Sequence, residues 1–172
     1  MRSKWIGFIV VVALAAVAGC SGPVVREFGK EDQAAIRQLL TDFAAAYNAK
    51  DLEKIGTFFA GNAVLMPPNR STLRGVDLVK TYFDERFQAG AQDLAFEPHV
   101  VWGHGPLGYL RASFSLKIVP PDGSTPTSDR GKVLWIVHNY NNQWKFEYQI
   151  MSSDLPPVVP APPPAAEEKP KK

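Results

Sequence analysis

The sequence contains little cysteine and little histidine. Its 172 residues include one cysteine, Cys20, and three histidines. A single cysteine excludes an intrachain disulfide, so the folded part of the chain must be held by its hydrophobic core. His99 and His104 are five residues apart, which places them on opposite faces of a strand, and His138 lies far from both. Because zinc or iron needs three or four converging ligands, we predict no metal and no other cofactor.

The N-terminal apolar run is too short to span a bilayer. Residues 5–18 are uncharged, about 14 residues where roughly 20 are needed. Arg2 and Lys4 precede this run, and small residues follow it up to Cys20, which is typical of a secretory signal peptide. Residues 17–20 resemble the lipobox of bacterial lipoproteins. That resemblance implies cleavage before Cys20, a diacylglyceryl thioether on its sulfur, and an acyl chain such as palmitate on its amino group.

Lipidation of Cys20 predicts where the protein resides. Two or three acyl chains attach a protein stably to a membrane, so we expect a lipid-anchored protein of the cell envelope. Ser21 follows the cysteine, in place of the acidic residue associated with inner-membrane retention. In a Gram-negative cell this favours the outer membrane, with the domain facing the periplasm.

The chain also lacks an excess of charge. Its formal net charge is +2, but Arg2 and Lys4 belong to the predicted signal peptide. Without these two, 17 basic residues remain against 17 acidic ones. A neutral mature protein has no electrostatic attraction to phosphate backbones, so we predict no binding to nucleic acid.

Four segments follow from composition. Residues 1–19 form the signal peptide, 20–30 a lipidated tether, 31–154 a folded domain, and 155–172 a Pro-rich tail. Prolines recur through residues 156–164, so the tail cannot bury a core. We predict that the tail is disordered and extended, partly as polyproline II.

Helical patterns precede strand patterns in residues 31–154. Apolar residues spaced by three and four predict a first helix; they are Ile36, Leu39, Leu40, Phe43 and Tyr47. A second helix is predicted after Asp51, a strand over 63–66 and a third helix over 76–89, whose buried face presents Leu78, Val79, Tyr82, Phe83 and Phe87. Four long strands follow, at 94–102, 107–119, 130–140 and 143–153. This order predicts an α+β domain, with three helices packed on a strongly curved, mainly antiparallel sheet.

Short motifs along residues 31–156 resemble the SnoaL-like branch of the nuclear-transport-factor-2-like superfamily. They are the N-A-x-D turn at residues 48–51, the segment 59–64, Arg74-Gly75, Arg130-Gly131-Lys132 and the ending at 153–156. The resemblance implies a cone-shaped fold and is strongest to bacterial members without an assigned function. It implies little about activity, because this scaffold hosts isomerases, cyclases, dehydratases and binding or assembly modules.

Ketosteroid isomerase, another member of the superfamily, provides a test of catalysis. Its mechanism needs a general-base aspartate and an oxyanion hole that includes a tyrosine. When the N-A-x-D turns are aligned, that tyrosine falls on Phe43 and that aspartate on Pro67. Neither side chain can do this chemistry, so the resemblance implies no isomerase mechanism and no catalytic residue.

These substitutions favour binding over catalysis. We predict a pocket for a small apolar or amphipathic ligand, lined by Tyr47, Met66, Trp135, Gln149 and Met151. Tyr47, Gln149 and Met151 stand where related proteins carry Trp, Asp and Trp. Two alternatives stay open. One is an isomerase, hydrolase or dehydratase that uses His138 or Asp154 as its base. The other is a homodimerising module that displays the Pro-rich tail.

Overall fold

The computed structural model describes residues 27–155, which form three helices and one six-stranded sheet. The helices are α1 (Lys30–Asn48), α2 (Leu52–Thr57) and α3 (Val76–Gln88). The strands are β1 (Phe59–Met66), β2 (Leu73–Arg74), β3 (Ala91–His104), β4 (Leu107–Ile118), β5 (Thr127–Tyr140) and β6 (Gln143–Ser153). The predicted α+β class, with helices packed on a mainly antiparallel sheet, is therefore confirmed.

The sheet is built on a long antiparallel meander. Its strand order is β2-β1-β6-β5-β4-β3, and only the pairing of β1 with β6 is parallel. The β5–β6 hairpin turns at Asn141 and Asn142, whose φ angles are 51° and 66°. A tight two-residue hairpin of this type requires a left-handed conformation at both positions, and asparagine adopts that conformation more readily than most residues. The predicted hairpin is thus confirmed.

The N-A-x-D turn has a structural role at each end. Asp51 caps α2 by accepting a hydrogen bond from the backbone nitrogen of Lys54 at 2.9 Å. The Asn48 amide accepts a hydrogen bond from the backbone N–H of Leu94 at 2.7 Å and donates one to its carbonyl at 2.9 Å. The two hydrogen bonds hold the end of α1 against β3, beside an irregularity where Asp93 has a φ of 56°.

The structure differs from the sequence predictions in several boundaries and in the burial of one side chain. Strand β1 starts at Phe59, four residues before the predicted start, and the short strand β2 was not predicted. Leu78, expected on the buried face of α3, is 49% exposed. Phe28, expected in the tether, packs edge-on against Trp144 with 5.7 Å between ring centroids.

Other predictions fall on parts of the chain that the structure does not describe. The signal peptide, Cys20 and the tail beyond Leu155 lie outside the described residues. Within residues 27–155, no helix combines the length and apolar character needed to cross a membrane.

Candidate functional site

A small cavity lies between α1, α3 and the inner face of the sheet, meaning the face that the helices cover. Two of its twelve lining residues come from α1, three from α3 and seven from strands β3 to β6. They are Phe43, Tyr47, Tyr82, Phe83, Arg86, Leu94, Phe96, Phe114, Leu116, Val133, Gln149 and Met151. Eight of these side chains are hydrocarbon, thioether or phenyl groups, so the cavity is apolar with a few polar groups inserted.

Aromatic rings fill most of the space beneath the helices. The ring of Phe43 lies between 5.5 and 6.4 Å, centroid to centroid, from six others. What remains is a cavity of about 20 Å³. Since a water molecule needs about 10–15 Å³ of such space, the closed cavity has room for about one water.

Two polar atoms in this apolar cavity have no hydrogen-bond partner among residues 27–155. Tyr47 is 3% exposed and Gln149 is 2% exposed, and neither Tyr47 Oη nor Gln149 Oε1 makes a hydrogen bond there. An unsatisfied buried polar group costs about 1–3 kcal/mol. Such groups are retained where a water or a ligand completes their hydrogen bonding.

Arg86 supplies the positive charge beside these atoms. Its guanidinium lies 3.5 Å from Oδ2 of Asp129, and Oδ1 of the same carboxylate accepts a hydrogen bond from the Ser153 hydroxyl at 2.7 Å. Burial raises the pKa of Tyr47, and the nearby guanidinium of Arg86 opposes this rise only in part. Arg86 lies close enough to affect this pKa but makes no hydrogen bond of ordinary geometry with Tyr47 Oη. Burial raises the pKa of Tyr82 in the same way.

Three of the five predicted pocket residues meet at this cavity. Tyr47, Gln149 and Met151 line it, whereas Trp135 and Met66 do not. Trp135 is fully buried in the core, stacked on the ring of Phe146 with centroids 5.2 Å apart.

Met66 belongs to the other face of the sheet. It pairs with Ile150, which is 45% exposed there, while its neighbour Leu65 pairs with the inward-facing Gln149. The placement of Met66 in the pocket was therefore wrong, because side chains alternate along β1. Pro67 is buried but is not a lining residue, and Phe43 lines the cavity with a phenyl ring that has no hydroxyl group.

Arg86 and Asp129 were missed by sequence reasoning, although a signal for each was present. Arg86 follows Tyr82 and Phe83 by four and three residues, which puts it on the same face of α3. Asp129 is separated by even steps from Val133 and Trp135, so strand alternation directs it inward with them.

The bases of the enzyme alternative lie elsewhere. Nδ1 of His138 is 3.2 Å from a carboxylate oxygen of Glu147, and Asp154 forms an ion pair with Lys132. Neither His138 nor Asp154 lines the cavity. Across residues 27–155, no group of three or more His, Cys, Asp or Glu side chains is placed to hold a metal ion.

Comparison with known proteins identifies the fold. Residues 40–141 match the SnoaL-like domain family. No curated protein sequence is significantly similar to the chain.

Three solved structures illustrate the range of similar proteins. A ketosteroid isomerase-like protein from Erwinia carotovora atroseptica has a TM-score of 0.67 and 18% identity, covering 74% of this chain and 100% of that one. An NTF2-like protein with a cystatin-like fold from Novosphingobium aromaticivorans has a TM-score of 0.62 and 13% identity, covering 89% and 92%. A candidate scytalone dehydratase from the same organism has a TM-score of 0.63 and 12% identity, covering 72% and 85%. At these identities the similarity shows the fold alone.

Proposed function

Because this chain belongs to the SnoaL-like domain family, we propose that its cavity binds a small apolar or amphipathic molecule and does not transform it. Proteins of this fold include ligand-binding members and enzymes, so the fold by itself does not choose between these roles. The choice rests on the side chains that line the cavity.

The observation that carries the proposal is the pair of unsatisfied atoms in an apolar enclosure. Tyr47 Oη can donate or accept a hydrogen bond, and Gln149 Oε1 can accept one. A ligand hydroxyl or amide group can donate to Gln149 Oε1 or bond Tyr47 Oη, while the apolar part of the ligand contacts Phe83, Leu94 and Met151. Such a division between apolar walls and a few polar groups is typical of small-molecule sites.

An organic ligand needs more space than the closed cavity provides. Arg86 is the charged residue of the lining, and 27% of its side chain is exposed, so its guanidinium can move without leaving water. Met151 is also only partly buried, and its unbranched side chain adapts readily to a new shape. We therefore assign the entrance to Arg86 and Met151, whose displacement would enlarge the cavity.

The same lining supports binding without catalysis. Among the residues that the structure describes, no carboxylate, imidazole, thiol or aliphatic hydroxyl lines the cavity. General acid–base catalysis most often uses such a group; the cavity does hold the phenols of Tyr47 and Tyr82, but burial raises the pKa of both, which disfavours either as a base at neutral pH. Asp129, the nearest carboxylate to Arg86, is engaged by that guanidinium and by Ser153.

The proposed setting is the cell envelope, with the protein anchored through lipid on Cys20. The sequence pattern around Cys20 supports this setting. An anchored domain would meet apolar envelope molecules at high local concentration, which suits a site whose affinity comes mainly from apolar area.

Native mass spectrometry of the full chain, released gently from its own membranes, tests the proposal. We expect a bound small molecule on the native protein and its loss from a Tyr47→Phe/Gln149→Leu variant that keeps its thermal stability. The matched control is Tyr148→Phe, because Tyr148 is 39% exposed on the outer face of the sheet, the face opposite the helices. This variant should keep the molecule. Recovery of the native protein with nothing bound, under conditions that preserve other lipoprotein–ligand complexes, would overturn the proposal.

A further inference from the structure

The outer face of the sheet, opposite the helices, carries a row of large apolar side chains. Trp102, Tyr109, Ile136 and Tyr148 are direct cross-strand neighbours on β3, β4, β5 and β6. The rings of Trp102 and Tyr109 are 6.1 Å apart. Trp102 is 58% exposed and Tyr148 is 39% exposed, so the row is open to solvent within the described chain.

Neighbouring residues widen this row into an apolar surface. Leu107 and Ile150 are 50% and 45% exposed, and Leu134 lies between Arg111 and Ile150 in the adjacent row. A shallow groove of about 230 Å³ lies at the β3 end, lined by Trp102, Leu107, Tyr109 and Ile136 among others. Contiguous apolar surface of this kind marks a docking site.

The chain itself leaves the domain beside this surface. The backbone N–H of Asp154 donates to the carbonyl of Arg130 at 2.8 Å, and its carboxylate pairs with Lys132 on the outer face. These contacts place the start of the tail at the edge of the outer face. Leu155, the last described residue, is 44% exposed.

The distance from this exit to the aromatic end of the row matches the length of the Pro-rich segment. Ser153 lies five residues beyond Tyr148 on β6, about 17 Å along the strand. Trp102 is three strand spacings away, about 14 Å. The diagonal is about 22 Å, which a polyproline II segment spans with about seven residues at 3.1 Å each. Residues 156–164 are long enough to cover it.

The spacing of the prolines also suits an aromatic surface. Pro157, Pro160 and Pro163 recur at every third residue, forming two overlapping P-x-x-P motifs. In a polyproline II conformation, which has three residues per turn, these prolines would share one face and repeat about every 9 Å. P-x-x-P segments bind grooves lined by Trp and Tyr, and their preformed backbone loses little entropy on binding.

We propose that the Pro-rich segment of residues 156–164 docks in cis across the outer face, with its P-x-x-P face on Ile136, Tyr109 and Trp102. The contact is intramolecular, so the covalent connection at Leu155 supplies a high effective concentration and even weak contacts suffice. The docked segment covers the apolar row and directs the residues that follow it toward the β3 edge. This surface is separate from the ligand cavity, so either inference can fail without the other.

Photo-cross-linking of the full chain tests the docking. Leu107→p-benzoylphenylalanine puts the cross-linker at the Trp102 end of the row, and Leu78→p-benzoylphenylalanine on α3 is the matched control, because the two leucines are 50% and 49% exposed. After digestion and mass spectrometry, we expect tail peptides linked to position 107 at about tenfold the yield seen at position 78. Pro157→Ser, Pro160→Ser and Pro163→Ser together should lower that yield about fivefold, because the preformed backbone is lost.

Mixing ¹⁵N-labelled with unlabelled protein distinguishes the occupants of the surface. Tail cross-links within one isotopic species support the proposal. A cross-link from position 107 to residues 27–155 of the other species would assign the surface to a second copy of the chain and overturn the proposal. Tail cross-links between species, or yields at position 107 equal to those at position 78, would overturn it as well.

Discussion

The guanidinium of Arg86 on α3 lies 3.5 Å from the carboxylate of Asp129 on β5, and this ion pair stands beside the cavity. The two side chains are 27% and 12% exposed, so the pair is shielded from solvent more than the exposed ion pairs of the domain. It joins the last turn of the helix to the sheet at the place where a ligand would enter.

Asp129→Asn should destabilise the domain. The amide oxygen can still accept the hydrogen bond from Ser153, so the variant removes mainly the charge that faces Arg86. For a partly buried pair we expect a loss of about 1–2 kcal/mol in the free energy of unfolding, measured by urea denaturation. Asp93→Asn is the control, because its pair with Lys117 is largely exposed and should contribute nothing measurable. Equal effects of the two substitutions would show that the Arg86–Asp129 pair stabilises the domain no more than the exposed Lys117–Asp93 pair does.

Tyr47→Phe should have opposite effects on stability and on binding. The hydroxyl is buried without a partner among the described residues, so its removal from the ligand-free protein should raise the free energy of unfolding by about 1 kcal/mol. Ligand affinity should fall about tenfold, because one hydrogen bond to the ligand is lost. Chemical denaturation of the ligand-free protein shows whether the substitution raises or lowers the free energy of unfolding. A loss of stability would mean that the hydroxyl is already satisfied in the folded domain.

The free energy of unfolding should decrease in alkaline solution, in part because of the buried Tyr47 hydroxyl. Burial raises the pKa of Tyr47 and of Tyr82, so the folded state holds their protons more tightly than the unfolded state does. This contribution is fully present below the unfolded value near 10 and is lost as the pH rises through the folded value. The free energy of unfolding, measured between about pH 9 and 11, should fall less steeply for Tyr47→Phe than for the native protein. Identical slopes would exclude a raised pKa at this residue.

Gly131→Ala tests the close approach of β5 and β6. A Cβ at Gly131 would lie 1.9 Å from the carbonyl oxygen of Ser152 and 2.8 Å from the Phe114 ring, so backbone must move. We expect a loss of about 2–3 kcal/mol in thermal or urea unfolding. Gly61→Ala on β1 meets nothing within 4 Å and should be neutral or slightly stabilising. A neutral Gly131→Ala would show that the strands separate easily at this point.

Sequence patterns predicted the elements with strong periodicity. The apolar face of α1 and the Asn141-Asn142 hairpin were found because helix spacing and turn chemistry are local properties. Strand β2 has two residues and was missed, since such a short segment has no period and exists only through pairing with β1. Leu78 was misplaced because an apolar residue at a helix position is not always buried.

The candidate site was predicted less completely than the fold. Tyr47, Gln149 and Met151 were found through the resemblance, which fixed their positions on α1 and β6. Met66 was misplaced because the register of β1 against β6 decides which face each side chain meets. Filling of the cavity by rings around Phe43 depends on packing between distant elements, which no local pattern reveals.

Ligand retention by variants of the cavity entrance shows directly whether the cavity binds the ligand. Met151→Phe adds bulk at the cavity entrance, whereas Ile150→Phe adds a ring one residue away on the outer face, where Ile150 is 45% exposed. Molecules bound to each full-length variant would be extracted and quantified against the native protein by mass spectrometry. We expect Met151→Phe to lose most of the bound molecule and Ile150→Phe to retain it. Equal retention by both variants would contradict the assignment of ligand binding to this cavity.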